Sequence, residues 1–140
     1  MLHAPERLAV VGEIAARHPG LTLIVDHMGF ARETMDSHAK EGAERILKLA
    51  KYPNVSVKVS AAPCYSSEDY PFRNLHGPIQ RIIDGFGVKR SFWGSDFSRL
   101  PKSCTYRQAV TMFTESLGFL SASDLDWVMG RAALECLNWK

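Results

Sequence analysis

The segment LTLIVDH, residues 21–27, is a run of mostly apolar, β-favouring residues that ends in two ionisable side chains. Its length and composition are typical of a strand that is covered on both faces, as strands of parallel sheets are. The preceding HPG, residues 18–20, ends a helical pattern that begins near Pro5. The segment therefore predicts a buried strand whose carboxyl end carries Asp26 and His27.

Two more segments have strand character, NVSVKVS at residues 54–60 and RSFWGSD at residues 90–96. Helical patterns separate the three segments, and two further helical patterns follow the last one. Strands that alternate with helices predict an α/β fold with parallel strands and right-handed crossovers. Pattern alone would also fit a doubly wound sheet, but no glycine-rich phosphate loop follows any strand, so nothing favours a nucleotide site.

All three predicted strands end in polar side chains, which is where parallel α/β enzymes place their catalytic groups. In NVSVKVS the valines share one face, so Lys58 and Ser60 are predicted to point away from the helices, into the strand-bounded interior. We expect His27 and Asp96 to point the same way. The inward faces predicted for the first and third strands are Leu21, Leu23, Val25 and His27, and Arg90, Phe92, Gly94 and Asp96.

These side chains suit hydrolysis at a carbonyl group. A neutral imidazole such as His27 can donate a hydrogen bond to a substrate carbonyl or ligate a metal, and a carboxylate such as Asp96 can take a proton from water. Lys58, Ser60 and Arg99 are candidates for binding the substrate, the two cations through a carboxylate. For His27 the structural alternative is a buried histidine without a catalytic role, and for Asp96 it is an aspartate that caps the next loop.

Composition narrows the partners. The 140 residues carry a formal net charge of +2, with the basic residues scattered along the chain, so nucleic acid is not predicted as a partner. No apolar run has the length of a membrane span. Three widely spaced cysteines form neither a disulfide framework nor a zinc pattern, which favours a cytoplasmic location. A small-molecule substrate is the expected partner.

Four segments together resemble the amidohydrolase-related family of TIM-barrel hydrolases, lactonases and decarboxylases, which includes pyrone-dicarboxylate lactonase-like enzymes. They are HPGLTLIVDHMG, YPNVSVKVS, KRSFWGSDFSRLP and MGRAALECLNW. The resemblance implies that the strands are the sixth to eighth of a (β/α)8 barrel. Residues 1–140 would then form one domain that is incomplete at its N-terminal side.

In that family Asp96 matches the aspartate that acts as general base or metal ligand, and His27 matches a histidine that polarises substrate or binds metal. Zinc is implied for decarboxylase-type members and no metal for pyrone-dicarboxylate lactonases, so the cofactor is left open. The chain departs from the family in lacking the first-strand His-x-His, in Phe30 where those lactonases carry a substrate-binding arginine, and in Ala132 within the closing segment.

Three functions remain in competition. The first is a hydrolase of a small cyclic ester or carboxylated substrate, in which Asp96 activates water and His27 polarises the carbonyl; it requires a missing N-terminal half-barrel as a partner, from a longer product or a separate polypeptide. The second is a catalytically inactive, truncated barrel module that folds by self-association, because an open sheet exposes edges and apolar inner faces. The third is a zinc-dependent decarboxylase of the same superfamily, with His27 and Asp96 as metal ligands.

Overall fold

The computed structural model describes residues 1–139 and contains a three-stranded parallel sheet. The strands are β1 (Leu23–Val25), β2 (Val55–Ser60) and β3 (Ser91–Gly94), and they lie in the order β1-β2-β3. Each strand is shorter than its predicted segment: β2 lacks only Asn54, whereas β1 and β3 also end before the ionisable residues Asp26, His27 and Asp96. The predicted α/β class and parallel pairing are confirmed.

Helices connect the strands in the predicted order. Their bounds are α1 (Leu8–Arg17), α2 (His38–Leu47), α3 (His76–Phe86), α4 (Tyr106–Thr111) with a π-helical turn (Met112–Ser116), and α5 (Ala122–Asp126) continuing through a π-helical turn (Trp127–Arg131) into α6 (Ala132–Cys136). A capping box, in which the side chains of Ser121 and Asp124 accept hydrogen bonds from each other's backbone N–H groups, begins α5. Within residues 1–139 no helix combines the length and apolar content needed to cross a membrane.

The two faces of β2 are as the alternation predicts. Val55, Val57 and Val59 are completely buried and belong to the main core, together with apolar side chains of α1, α2 and α3. Lys58 and Ser60 lie on the opposite face. A Cβ atom added to Gly94 would lie 2.9 Å from Lys58 Cε and 3.1 Å from Ser60 Cβ. Gly94 therefore leaves room for both side chains on the inner face.

The predicted inward face of the first strand is wrong by one residue. Leu23 pairs with Val55 and Val25 with Val57, so both side chains face the helices and lie in the main core. Ile24 is the inward residue, and Leu21, at 47% exposure, lies before the strand. His27 lies beyond the end of β1, so the turn that follows the strand, and not the alternation of the strand, directs its side chain to the inner face.

The inner face is covered rather than open. Ile24, Phe92 and Ala132 form a second buried cluster, and Trp127, Ala133 and Cys136 pack against it. The C-terminal helical segment thus lies against the face of the sheet that α1, α2 and α3 leave free. The expectation that Leu21, Leu23, Val25 and Phe92 form an exposed apolar inner face is wrong for the last three, which are at most 9% exposed; only Leu21 of the four is exposed.

Candidate active site

His27 is delivered to the inner face by a turn in an uncommon conformation. After Val25 the chain enters a tight turn (Asp26–Gly29) in which His27, Met28 and Gly29 all have positive φ, at 53°, 57° and 63°. Non-glycine residues seldom adopt this left-handed region. The turn is held in place because Met28 is completely buried beneath it. Backbone strain of this kind is typical of functional sites, and here it redirects the imidazole.

The His27 ring lies between two side chains from the other strands. Its Nδ1 is 2.8 Å from Oγ of Ser60, and its Nε2 is 3.8 Å from Oδ2 of Asp96. When the Ser60 hydroxyl donates to Nδ1, Nε2 carries the ring proton and can donate to a substrate. When Nδ1 donates to Ser60 instead, the Nε2 lone pair is free for a metal. Ser60, predicted to bind substrate, is completely buried, so its hydrogen bond orients His27.

Burial lowers the pKa of His27 below its ordinary value of 6.5, an effect that the nearby carboxylates of Asp96 and Asp26 oppose in part. The side chain is 20% exposed. The imidazole is therefore neutral at pH 7, which is the form that both chemical roles require.

The depressed pKa of His27 predicts a pH dependence of stability. Between the folded-state pKa and about 6.5, the unfolded chain binds more protons at His27 than the folded chain does. The contribution of His27 to the free energy of unfolding is therefore fully present above about pH 6.5, and the free energy of unfolding falls as the pH is lowered through this window. Urea unfolding of the wild type and of His27→Asn from pH 5 to 7.5 measures the effect. Asparagine tolerates positive φ, and its curve should be flatter; equal slopes would contradict the prediction.

Asp96 faces His27 from the end of β3. It too has positive φ, 49°, and its Oδ1 accepts a hydrogen bond from the Ser98 hydroxyl at 3.1 Å. Its Oδ2 is buried and, within residues 1–139, accepts no hydrogen bond. A buried carboxylate oxygen without a hydrogen-bond donor is costly, so this atom is poised to receive a proton or a ligand.

Lys58 is paired rather than free. Its Nζ lies 3.1 Å from Oδ1 of Asp26, and the two side chains are 27% and 17% exposed. This ion pair offsets the desolvation cost of placing a charged lysine on the inner face. The carboxylate that Lys58 contacts in this structure is that of Asp26, and its predicted role in binding a substrate carboxylate stays a prediction.

Arg99, also predicted to bind substrate, lies at the same end of the sheet. Its Nη1 donates to the Tyr65 hydroxyl at 3.2 Å, and its guanidinium lies 5.1 Å from the centre of the Tyr65 ring. Tyr65 is completely buried, and burial raises its pKa. No periodic pattern in the sequence indicates a role for Tyr65, which lies in the short helical turn after β2.

His3 is a neighbour that sequence patterns did not place in the site. Leu2 forms an isolated parallel bridge with Val25, so His3 follows at the same edge of the sheet as His27. The two rings are edge to face with centroids 5.4 Å apart, and His3 Nε2 is 2.9 Å from the Phe30 carbonyl oxygen. A single apolar residue before a histidine is too short a pattern to predict a strand.

The candidate site brings together few of the side chains that bind metal ions. His27 Nε2 and Asp96 Oδ2 could bind one ion together, but zinc sites take three or more protein ligands. Among the residues described, 1–139, no three His, Cys, Asp or Glu side chains are grouped to hold one ion. Nε2 of His3 is occupied by the Phe30 carbonyl. The described residues therefore do not by themselves form a zinc site.

Comparison with known proteins assigns the chain to a family. The amidohydrolase family model matches residues 1–139. The chain is similar to an amidohydrolase from Burkholderia multivorans with bound zinc, at a TM-score of 0.83 and 23% identity, covering 99% of this chain and 51% of that one. No curated protein gives a significant match.

Two further solved structures agree on the fold. A proposed 2-pyrone-4,6-dicarboxylic acid hydrolase from Pseudomonas putida has a TM-score of 0.66 and 24% identity, covering 93% of this chain and 50% of that one. Amidohydrolase 2 from Bifidobacterium longum subsp. infantis has a TM-score of 0.67 and 21% identity, covering 96% and 46%. The chain thus spans about half the length of these structures. The predicted partial TIM-barrel fold is confirmed.

Proposed function

The chain belongs to the amidohydrolase family, and from this premise we propose that it carries the catalytic pair of a hydrolase that opens small cyclic esters. The observation that supports the proposal is the placement of Nε2 of His27 and Oδ2 of Asp96, 3.8 Å apart at the carboxyl ends of β1 and β3. A substrate oxygen and an attacking water can contact both groups at this separation. The likeness to a proposed pyrone-dicarboxylate hydrolase favours a lactone over other substrates.

The reaction follows from the roles of the two side chains. Asp96 accepts a proton from water, and the resulting hydroxide oxygen adds to the lactone carbonyl carbon. His27, with its Nε2 proton fixed by the Ser60 hydroxyl at Nδ1, donates to the carbonyl oxygen as negative charge develops there. The ring C–O bond then breaks, and the leaving oxygen takes the proton back from Asp96. The product is an open-chain hydroxy acid.

The zinc-dependent decarboxylase is a weaker alternative. The related Burkholderia structure contains zinc, but residues 1–139 here offer two donors in contact rather than three. A zinc ion would need a further ligand that the described residues do not bring to the pair. The proposed steps therefore use only His27, Asp96 and water.

The non-catalytic module remains the alternative from a different class. It is favoured because efficient hydrolysis needs a preorganised, closed site, whereas the strands within residues 1–139 form an open three-stranded sheet. Its premise of obligatory association is weakened by the structure, since Phe92 and Ile24 are covered by the chain's own C-terminal helical segment. A folded, inactive monomer would fit this alternative.

A lactone panel tests the proposal. Acid release from five- and six-membered lactones is measured with the wild type, with His27→Asn, and with Lys40→Gln as an exposed control. We expect hydrolysis by the wild type and the control, and a rate lower by about 10²-fold or more in His27→Asn, because a positioned donor to the developing oxyanion is lost. Hydrolysis that is indifferent to His27 would contradict the mechanism. Its absence in the wild type would favour the inactive module.

A further inference from the structure

A groove lies between α1 and α2, the helices that pack on the valine face of β2, whereas His27 and Asp96 lie on the inner side. Its volume is about 440 Å³. One wall comes from the start of α1 and the turn before it, and the other from the end of α2 and the segment that leads to β2. A cavity of this volume accommodates a small organic molecule.

The floor of the groove is apolar and carries one aromatic ring. Leu8 and Leu49 are buried there, and Tyr52 lies half-buried beside them. Gly12 makes the close packing possible, since a Cβ atom at this position would lie 3.1 Å from Cε2 of Tyr52 and 3.2 Å from Cδ2 of Leu49. Nζ of Lys51 lies 5.1 Å from the centre of the Tyr52 ring. The floor therefore offers a flat ligand ring an aromatic contact and two aliphatic ones.

Three cations line the groove against one carboxylate. Arg45, Lys48 and Lys51 are exposed at the end of α2 and just after it, and Glu6 is the acidic residue of the opposite wall. Among the ion pairs formed within residues 1–139, none involves these four side chains. Cations that converge without carboxylate partners repel one another, and the repulsion is relieved when an anion binds.

Neighbouring carboxylate and carbonyl groups do not account for these cations. Glu44, which precedes Lys48 by one helical turn, pairs instead with Arg81 of α3. The carbonyl oxygens of the segment after α2, which lysines could otherwise bind, accept hydrogen bonds from Arg90. The positive charge at this end of α2 is therefore available to a ligand in the groove.

We propose that this groove binds a small aromatic phosphate ester, with Arg45, Lys48 and Lys51 on the phosphate group and Tyr52 against the ring. Three positive charges and the negative charge of Glu6 leave a local charge of +2, which a phosphate monoester dianion balances and a single carboxylate does not. Phosphate oxygens accept charge-assisted hydrogen bonds from several cations at once. The site lies on the helix side of the sheet and is independent of the proposed hydrolase function.

Calorimetric titration with phenyl phosphate at low ionic strength tests the site, at a pH well above about 6 so that the ester is a dianion. The variant Lys48→Gln/Lys51→Gln removes two exposed charges and leaves the apolar floor in place. We expect it to bind at least about tenfold more weakly than the wild type, since two charge-assisted contacts are lost. The control Arg73→Gln/Arg107→Gln removes the same charge from exposed positions outside the groove and should bind within about twofold of the wild type.

A second variant and two comparison ligands separate the shape of the groove from its charge. Ala9 is exposed in the α1 wall, so Ala9→Trp keeps all three cations but occupies the space of the ligand ring, and its binding should fall below detection. Phenol and inorganic phosphate should each bind at least about tenfold more weakly than the ester. The site would be overturned by equal affinity of the lysine variant and its control, by unchanged binding in Ala9→Trp, by inorganic phosphate that binds as tightly as the ester, or by a wild type that does not bind phenyl phosphate.

Discussion

Replacing Asp96 with asparagine is expected to lower kcat for lactone hydrolysis by about 10²- to 10⁴-fold, because the side chain that accepts the proton of the attacking water is lost. The substitution is mild for the fold. Asparagine tolerates the positive φ of 49° at this position, and its carbonyl oxygen can still accept the hydrogen bond from Ser98. A loss of rate without a loss of stability is therefore the expected result, measured as acid release alongside urea unfolding.

A matched pair of variants separates chemistry from folding. Asp84→Asn makes the same change at an exposed position of α3 and should leave both rate and stability unchanged. Asp96→Ala should be as inactive as Asp96→Asn, but less stable by about 1 kcal/mol because alanine is strained at positive φ. Full activity of Asp96→Asn would remove Asp96 from the mechanism.

The strand faces show where sequence patterns suffice. The alternation of NVSVKVS predicted which side of β2 meets the helices, because the three valines all lie on one face and the four polar residues on the other. LTLIVDH has no such alternation, so its register was open to a slip of one residue. The pairing of Leu23 with Val55 determines which face of β1 meets the helices. That pairing is a tertiary contact, so the pattern of the segment alone does not reveal it.

The site was predictable in its main pair and not in its supporting contacts. Polar strand ends pointed to His27 and Asp96, because parallel strands deliver their carboxyl ends to one edge. The contact between the side chains of His27 and Asp96 depends on positive φ values at both residues, and the amino-acid composition of the segments does not predict these values. The contacts of Tyr65 and His3 join residues more than 20 positions apart and arise only from packing. Roles in substrate binding for Lys58, Ser60 and Arg99 stay predictions.

Arg90 is a residue whose importance became visible only in the structure. The sequence predicted it on the inner face of the third strand, but it precedes β3 and reaches across to the segment between α2 and β2. Its guanidinium donates to the carbonyl oxygens of Ala50, Tyr52 and Val55 at 3.0, 2.8 and 2.9 Å. One side chain thus satisfies three backbone acceptors and fixes the start of β2 relative to β3.

Replacing Arg90 with methionine is expected to lower the free energy of unfolding by about 2–4 kcal/mol, because the three part-buried carbonyl groups lose a charged donor. Arg90→Lys should recover less than half of this, since an ammonium group cannot match the planar fork. Urea unfolding at pH 7 measures both, with Arg81→Met as the control. Arg81 forms an exposed ion pair with Glu44, so its loss should cost within about 1 kcal/mol. Equal effects at Arg90 and Arg81 would show that the carbonyl contacts contribute little to stability.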